Sequence, residues 1–332
     1  NWSVRWDGLY ITNNINKVYP NISSILNNPA HLINSVVHFG SQYMWPIWHP
    51  FMSSRNRYAV TYFHGKPEDG QDAAENLKQI ILLLPKTDFV ITASRLMEKR
   101  LLNWGIPENK LVRIPIGVDT NLFSPLQSEE SKQLLKLKFG IPLDRICIGS
   151  FQKDGKGWGN GFEPKLIKGP DILIKTLKYM SDQVPIFVLL TGPARGYVKN
   201  KLEQLGIPYL HLFLKNYLDI VNCYQALDLY LMTSREEGGP KSILECMATG
   251  TPVVATRCGM ALDLIENGRN GVLTDCDDPL KISNQAIDLL GDSNKLSSYI
   301  HQAHHDIQSF DWSIIAKLHF NKVYLPMLER LK

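Results

Sequence analysis

The sequence predicts an α/β protein with two doubly wound, Rossmann-like domains. Short apolar runs alternate along the chain with stretches of helical spacing, a pattern typical of parallel sheets flanked by helices. The length of 332 residues suits two domains rather than one. A hydrophobic fraction of 44% with 20% charged residues is ordinary for a globular chain.

Nine apolar runs are candidate strands. In the first part of the chain they are residues 36–39, 58–63, 88–92 and 110–114. In the second part they are residues 145–148, 186–190, 209–213, 228–232 and 252–255. The polar segment 123–138, rich in Ser, Glu, Gln and Lys, predicts the domain boundary. Ligands of such folds bind at the carboxyl ends of the strands, so the predicted site is a cleft between the domains.

Charge and cysteine usage narrow the class of protein. The net charge of +4 is small and unclustered, so the sequence predicts no nucleic-acid surface. No run of about 18 apolar residues predicts a transmembrane helix. The five cysteines are odd in number, lack a C-x-x-C pair and lie mostly in apolar segments, which favours buried free thiols in a reducing compartment. We therefore expect a cytoplasmic protein, with peripheral contact at the inner face of a membrane left open.

The segment 235–245, REEGGPKSILE, carries the strongest chemical signal. It follows the strand candidate 228–232 and leads into a stretch of helical spacing, so it lies on a strand-loop-helix turn. Gly238 and Gly239 let the backbone approach a ligand closely, and Pro240 suits the first helical turn. The free N–H groups and the positive dipole end of that turn favour an anion such as a diphosphate.

Two carboxylates flank this turn, Glu237 before it and Glu245 within the helix. The helix rises only about 7 to 8 Å over residues 240–245, so one ligand can reach both ends. A carboxylate accepts hydrogen bonds from vicinal hydroxyls, which predicts Glu245 on a ribose and Glu237 on a sugar. Glu245 shares its helix face with a small and polar set, which predicts a groove wall: Lys241, Ser242, Ala248 and Thr249.

Longer stretches resemble a known family. Residues 236–275, EEGGPKSILECMATGTPVVATRCGMALDLIENGRNGVLTD, resemble the donor-site signature of the family 4 retaining glycosyltransferases, which have the GT-B fold. Residues 91–125, ITASRLMEKRLLNWGIPENKLVRIPIGVDTNLFSP, resemble the segment that closes the N-terminal domain of the same family. With Lys168-Gly169, the resemblance covers roughly the last 240 residues. It implies an acceptor-side domain (1–124), a nucleotide-sugar-binding domain (125–312) and a C-terminal helix (313–332) that crosses back to the first domain.

The resemblance also implies further site residues. The family places an Arg and a Lys about five residues apart against the leaving diphosphate, the Lys in a Lys-Gly pair that begins a helix. Lys168 matches the Lys, whereas Lys153 is the best match to the Arg and is followed by an insertion. Lysine is a point charge and lacks the arginine fork, so Lys153 departs from the family pattern. His64, after the strand candidate 58–63, matches a histidine that contacts the donor, and Ser94 with Arg95 has a comparable placement.

The first domain departs from the family in a second way. It begins at Asn1 and shows no opening strand followed by the Gly-Gly loop that the family places against the donor phosphates. An N-terminal β-α unit is therefore expected to be absent. The sequence is interpreted as either a truncated chain or a reduced form of the domain.

Two segments keep more than one interpretation. The insertion 155–161, with glycine at alternate positions, predicts either a lid over the cleft or a mobile surface loop. The aromatic segment 43–51, with Arg55 and Arg57, predicts an acceptor groove, a contact with anionic lipid heads, or ordinary packing.

No metal site is predicted. Asp275 and Asp277 match a D-x-D metal motif, but Asp278 followed by Pro279 indicates a helix cap and first turn instead. Three histidines share one helical face without an acidic partner, which favours a polar surface: His301, His304 and His305.

The resemblance implies a retaining, metal-independent transfer of a sugar from a nucleoside diphosphate sugar, UDP- or GDP-linked, to an acceptor hydroxyl. The donor is the only small molecule required, and the acceptor is a glycan, a lipid or a small molecule. The predicted catalytic residues are Glu237, His64, Lys168 and Lys153. A homodimer stays open as a partner arrangement. The alternatives are a non-catalytic GT-B partner subunit and a GT-B-fold epimerase or phosphorylase.

Overall fold

Two parallel sheets form the framework of the computed structural model, which describes residues 3–331. The chain divides into two compact units with one sheet each. The first unit comprises Asn1–Gly117, Glu237–Gly239 and Ser309–Lys332, and the second comprises Val118–Glu236 and Pro240–Gln308. The predicted α/β class with two Rossmann-like sheets is confirmed. The predicted domain limits at residues 124 and 312 stay predictions beside these units.

Helices follow nearly every strand, as the alternating pattern predicts. In chain order they are α1 (Ser3–Val18), α2 (Met44–Trp48), α3 (Gln71–Leu82), α4 (Arg95–Asn103), α5 (Glu129–Lys138), α6 (Pro170–Ser181), α7 (Gly196–Leu205), α8 (Ile220–Gln225), α9 (Lys241–Thr249), α10 (Ala261–Leu264), α11 (Pro279–Gly291), α12 (Ser293–Ile307), α13 (Trp312–His319) and α14 (Leu325–Glu329). No helix within residues 3–331 is both long and apolar enough to cross a membrane.

The first sheet contains four parallel strands in sequence order. They are β1 (Val36–Phe39), β2 (Arg57–Thr61), β3 (Phe89–Thr92) and β4 (Leu111–Arg113). The central strands are apolar because helices cover them, and Val60 and Val90 are almost completely buried. Leu77 and Ile80 of α3 and Met97 of α4 pack into the same core. The order of these described strands does not reverse, so this sheet has no switch point of its own.

The C-terminal helices belong to the first unit. Tyr10 of α1 stacks on Trp312 of α13 with ring centroids 5.4 Å apart. Tyr19 stacks on Phe320 at 4.8 Å, where a π-helical turn, Phe320–Tyr324, joins α13 to α14. These ring contacts attach both ends of the described chain to the same unit.

The second sheet contains six parallel strands in the order β10-β9-β8-β5-β6-β7. They are β5 (Ile146–Ser150), β6 (Ile186–Thr191), β7 (Tyr209–Leu212), β8 (Leu229–Met232), β9 (Val253–Thr256) and β10 (Val272–Thr274). The chain starts at the centre with β5, builds one half of the sheet through β7, and returns to the centre at β8. This is the strand order typical of a Rossmann fold, with its switch point between β5 and β8.

All nine predicted strands are present, with limits that agree to within two residues. The sequence analysis does not predict the short strand β10 (Val272–Thr274). The prediction of buried free thiols is confirmed: four of the five cysteines are buried, and Cys276 is partly exposed.

Candidate functional site

The centre of the second sheet supplies a position for a ligand. The strand order reverses between β5 and β8, so the loops after these strands diverge at the carboxyl edge of the sheet. Gln152, after β5, connects these loops. Its Nε2 donates to the carbonyl of Lys168 at 2.8 Å, and its Oε1 accepts from the hydroxyl of Ser234 at 3.2 Å. The crevice at this edge is where an open α/β sheet binds its ligand.

Lys168 lies at this edge, at the end of the 3-10 turn Leu166–Lys168 that precedes α6. Gly169 follows with a φ of 62° and occupies the N-cap position of α6. A Cβ there would lie 1.9 Å from the carbonyl oxygen of Thr233, so only glycine fits. The prediction that a Lys-Gly pair begins a helix is therefore confirmed, and backbone packing gives its physical reason.

Arg235, after β8, fixes the turn that carries Lys168. Its guanidinium donates to both carboxylate oxygens of Asp171 at 2.9 and 2.8 Å and to the carbonyl of Leu166 at 2.6 Å. Its backbone N–H donates to the carbonyl of Ile167 at 2.9 Å. The hydrogen bonds to Asp171 are the largest cause of a pKa of Arg235 above its usual range. The guanidinium of Arg235 therefore stays charged. The sequence alone shows Arg235 only as the first residue of the motif.

Lys153 lies after β5 and is partly buried. Its Nζ lies 3.7 Å from the centre of the Trp158 ring, within the insertion that separates it from Lys168. The ammonium therefore makes a cation–π contact. The predicted phosphate contact of Lys153 stays a prediction.

Helix α9 begins at Lys241, and Pro240 is its N-cap in an extended conformation. The expectation that Pro240 lies in the first helical turn is thus off by one residue. Lys241 and Ser242 are partly exposed at the helix start. The N–H groups at the start of a helix point outward along its axis, and together with the positive end of the helix dipole they suit an anion.

Glu245 lies one turn further along α9 and is only 4% exposed. Its two carboxylate oxygens accept hydrogen bonds from the hydroxyls of Tyr217 and Tyr224, the latter at 2.7 Å. Burial, followed by the nearby Glu245 charge, raises the pKa of Tyr224 well above its usual value, so its hydroxyl keeps its proton and donates. The two tyrosines fix the direction of the carboxylate. The sequence gives no signal for either tyrosine.

The predicted groove wall on α9 is wrong in part. Ala248 and Thr249 are buried, and the Thr249 hydroxyl donates to the carbonyl of Glu245 at 2.8 Å. The helix packs against both α8 and α12. Only Lys241 and Ser242 of the predicted wall remain partly exposed.

In the first unit, residues 237–239 pack tightly against the segments that follow β2 and β4. A Cβ on Gly238 would lie 2.2 Å from the carbonyl oxygen of Phe63 and 3.3 Å from the Cβ of His64. A Cβ on Gly239 would lie 2.3 Å from the side chain of Ile116. Close backbone approach is thus required by protein packing, whether or not a ligand is bound. It brings the partly exposed Glu237 and His64 into one neighbourhood.

Ser94 has a structural use in the same unit. It is the N-cap of α4, where its hydroxyl accepts from the N–H of Met97 at 3.2 Å, and it is 1% exposed. Arg95, the first residue of the helix, is exposed. The donor-binding role of Ser94 stays a prediction.

The aromatic segment 43–51 divides between core and surface. Trp45 is 1% exposed and its indole N–H donates to the Thr87 hydroxyl at 2.9 Å. Ile47 and Phe51 are 59% and 66% exposed. Ordinary packing therefore explains Trp45, while the groove and lipid interpretations stay open for the exposed side chains.

The chain is similar to known proteins across both units. A family model described as glycosyl transferases group 1 matches residues 162–306. The D-inositol 3-phosphate glycosyltransferase of Corynebacterium urealyticum is 30% identical over 213 residues, which are 60% of this chain and 48% of that protein. The matching region spans about half the length of the curated relatives.

Solved structures agree on the fold. HepE of Anabaena, in complex with UDP and glucose, has a TM-score of 0.74 at 23% identity, covering 87% of this chain and 78% of that one. Sucrose-phosphate synthase of Thermosynechococcus elongatus has a TM-score of 0.71 at 19% identity, covering 89% and 73%.

Residues 162–306, which match the group 1 glycosyltransferase model, are here called the group 1 domain. The fold of the chain is GT-B. The group 1 domain contains Lys168 and Arg235 at the edge of the sheet and Glu245 on α9. Gln152 and Lys153 precede the matched residues but lie in the same compact unit.

The residues of the D-x-D motif, Asp275 and Asp277, make ion pairs within the protein. Asp275 pairs with Lys281 at 2.9 Å, and Asp277 pairs with Arg235. Asp278 caps α11 by accepting from the N–H of Lys281 at 3.1 Å, which confirms the predicted cap. Throughout residues 3–331, His, Cys, Asp and Glu side chains do not cluster in any group of three or more that could hold a metal ion.

Proposed function

We propose that this chain transfers a sugar from a nucleoside diphosphate sugar to an acceptor hydroxyl, with retention at the anomeric carbon and without a metal ion. The observation that carries the proposal is the arrangement inside the second unit. A lysine turn held by Arg235 and a carboxylate held by two tyrosines both belong to a group 1 domain with a Rossmann strand order.

The donor is assigned by chemistry and by similarity. The carboxylate of Glu245 is the kind of acceptor that the vicinal hydroxyls of a ribose require, and the two tyrosines hold it in a fixed direction. The amide groups at the start of α9 suit the diphosphate. HepE of Anabaena is known in complexes with UDP and with UDP-glucose, so a UDP-sugar is the first donor to test.

The reaction breaks the bond between the anomeric carbon and the diphosphate oxygen and forms a bond from that carbon to the acceptor oxygen. The acceptor proton is released with the nucleoside diphosphate. Negative charge grows on the leaving phosphate, and Lys168 and Lys153 offset it. A single well-placed donor of this kind contributes about 2.7 to 4 kcal/mol to the lowering of the barrier.

The remaining residues orient the sugar. Glu237 accepts hydrogen bonds from the hydroxyls of the transferred sugar, and His64 donates to a sugar hydroxyl or a phosphate oxygen. Holding the anomeric carbon in place contributes to the rate, since a positioned reactant pays less entropy in the transition state.

The test is a donor-consumption assay with UDP- and GDP-linked hexoses and a panel of hydroxyl acceptors. The panel begins with phosphorylated inositols, because the curated relatives are named for D-inositol 3-phosphate. We expect one donor to be consumed at the same rate with and without EDTA, and NMR to show the donor's own anomeric configuration in the product. An inverted product contradicts retention, loss of activity in EDTA contradicts metal independence, and turnover of a sugar phosphate without a nucleotide contradicts the transferase assignment.

A further inference from the structure

The insertion after Lys153 forms a docked arm, defined here as residues 154–165. Its two sides are joined by hydrogen bonds from the Lys156 N–H to the Glu163 carbonyl at 2.9 Å and from the Lys165 N–H to the Asp154 carbonyl at 2.7 Å. An isolated antiparallel bridge links Gly155 to Pro164. The two interpretations from the sequence, a lid over the cleft and a mobile surface loop, stay predictions beside this hydrogen bonding.

The arm is anchored on the start of α7. The first N–H groups of this helix, at Gly196 and Tyr197, donate to the carbonyls of Asn160 and Gly161 at 2.7 and 2.9 Å. A helix start leaves such N–H groups without intrahelical partners, so the arm caps α7. Gly161 has a φ of 72°, and a Cβ on it would lie 2.2 Å from the carbonyl oxygen of Ala194. The fit leaves no room for a side chain.

A buried ion pair fixes the backbone on both sides of Lys153. The side chains of Arg195 and Asp154 are fully buried, with the Nε of Arg195 3.1 Å from a carboxylate oxygen of Asp154. The Arg195 guanidinium also donates to the carbonyls of Ser150 and Gln152 at 2.6 and 2.7 Å. Residues 152 and 154 are therefore both held by one arginine, and the backbone of Lys153 has little freedom.

The Lys153 side chain gains its own support from the arm. Trp158 lies at the tip and is 67% exposed, so burial does not explain its orientation. Its ring faces the Lys153 ammonium, with the Nζ 3.7 Å from the ring centre. A flexible lysine has many rotamers to lose on binding, and an aromatic face that already holds the ammonium reduces this loss.

We propose that Trp158 is a positioning residue that presents Lys153 to the diphosphate of the donor. This proposal rests on the proposed function and adds the device by which a lysine acts where the resembling family has an arginine. An ammonium has three N–H donors, and a ring on one side leaves donors for phosphate oxygens on the other. The arm, absent from the family's short spacing, holds the ring in place.

The test compares nucleotide affinities by calorimetry. UDP, GDP and ADP are titrated into the wild type, and the tightest of them is then titrated into the variants together with its free nucleoside. We expect Trp158→Leu to weaken the nucleoside diphosphate about fivefold and to leave the nucleoside unchanged. Trp158→Phe keeps an aromatic face and should recover most of the affinity. Phe162→Leu is the matched control, because Phe162 is also an exposed aromatic residue of the arm, at 63%.

A double-mutant cycle separates positioning from a structural role. In a Lys153→Met background, Trp158→Leu should cause no further loss, because the ring acts only through the ammonium. Equal losses in both backgrounds, or tighter binding in Trp158→Leu, would overturn the proposal while leaving the proposed function in place. If Lys153→Met itself has no effect, the phosphate contact is wrong. If no nucleotide binds the wild type, the proposed function and this inference both fail.

Discussion

The two units position their predicted site residues by different means. In the second unit, other side chains hold them: Arg235 and Gln152 fix the turn of Lys168, and Tyr217 with Tyr224 holds Glu245. In the first unit, backbone packing places them. The backbone of Gly238 packs against the carbonyl of Phe63, and Ser94 lies at the N-cap of α4.

This difference indicates in which unit other side chains hold the site residues in position before a ligand binds. Side chains that are already hydrogen-bonded lose little freedom when a ligand binds, which favours affinity. In the second unit, Glu245 and the turn of Lys168 have this property, and the proposed function assigns them to the ribose and the diphosphate of the donor. The first unit instead contains buried histidines whose protonation affects the free energy of unfolding. Stability can therefore be tested in the first unit and nucleotide affinity in the second.

The largest expected effect is acid sensitivity of the first unit. His319 of α13 is 6% exposed, and burial together with the neighbouring His38 lowers its pKa to about 3. Burial lowers the pKa of His38 to about 4. In the unfolded chain both titrate near 6.5. Below that pH the unfolded chain binds protons that the folded chain does not, so the free energy of unfolding falls as pH decreases from about 6.5 to about 4.

One such histidine is worth about 2 kcal/mol between pH 6.5 and pH 5. Denaturant unfolding followed by tryptophan fluorescence reports the first unit, since every tryptophan except Trp158 belongs to it. His319→Phe keeps a ring and should flatten the dependence on pH, whereas His305→Gln at an exposed position should not. An unchanged slope in His319→Phe would assign the acid sensitivity elsewhere.

A smaller effect is expected for the arginine that holds the Lys168 turn. Arg235→Met leaves Asp171 and the Leu166 carbonyl without their charged donor, which should lower the free energy of unfolding by about 1 to 2 kcal/mol, since the pair is partly exposed. The affinity for a nucleoside diphosphate should fall roughly threefold, because Lys168 becomes mobile.

Arg269→Met is the matched control for the arginine variant. Arg269 pairs with Asp306 at 2.6 Å in the same unit, but it is not among the site residues. We expect its loss to affect stability and not nucleotide affinity, with circular dichroism and calorimetry as the two measurements. Equal losses of affinity in the two variants would show that Arg235 has no particular link to the site.

The smallest effect concerns Ser94 in the first unit. Ser94→Ala removes the N-cap of α4 and should cost about 1 kcal/mol of unfolding free energy. Ser128→Ala removes the same kind of cap from α5, where the hydroxyl accepts from the Ser131 N–H at 3.3 Å. If Ser94 also binds the donor, only Ser94→Ala lowers nucleotide affinity. Unchanged affinity in both variants would restrict Ser94 to its structural role.

Local patterns predict much of the fold. The strands are visible because a covered parallel strand is a continuous apolar run, and the Asp278 cap because Asp-Pro is a local signal for a helix start. Lys168-Gly169 could be identified only through the family resemblance, because the carbonyl that leaves room only for glycine belongs to Thr233, which is distant in sequence. The domain division lies partly beyond such patterns, since residues 237–239 join the first unit across more than a hundred residues.

The supporting residues could not be predicted, because their partners are distant in sequence. Gln152 contacts the Lys168 carbonyl 16 residues away, and Tyr217 reaches Glu245 across 28 residues. Nothing in their neighbourhoods distinguishes them from other polar and aromatic residues. The wrong part of the groove-wall prediction has the same cause. Helical spacing places Thr249 beside Glu245, but only the packing of distant segments decides that Thr249 is buried.

The most direct test of the account is calorimetric titration of UDP, GDP and ADP into the wild type, Glu245→Ala and Glu203→Ala. Glu203 accepts a tyrosine hydroxyl, that of Tyr209 at 2.5 Å, on the exposed surface of the same unit, so it matches the chemistry of Glu245 outside the site. We predict that one nucleotide binds selectively and that Glu245→Ala weakens it at least tenfold, about 1.4 kcal/mol, while Glu203→Ala leaves it unchanged. Equal affinity in Glu245→Ala and the wild type, or no binding of any nucleotide, would contradict the account.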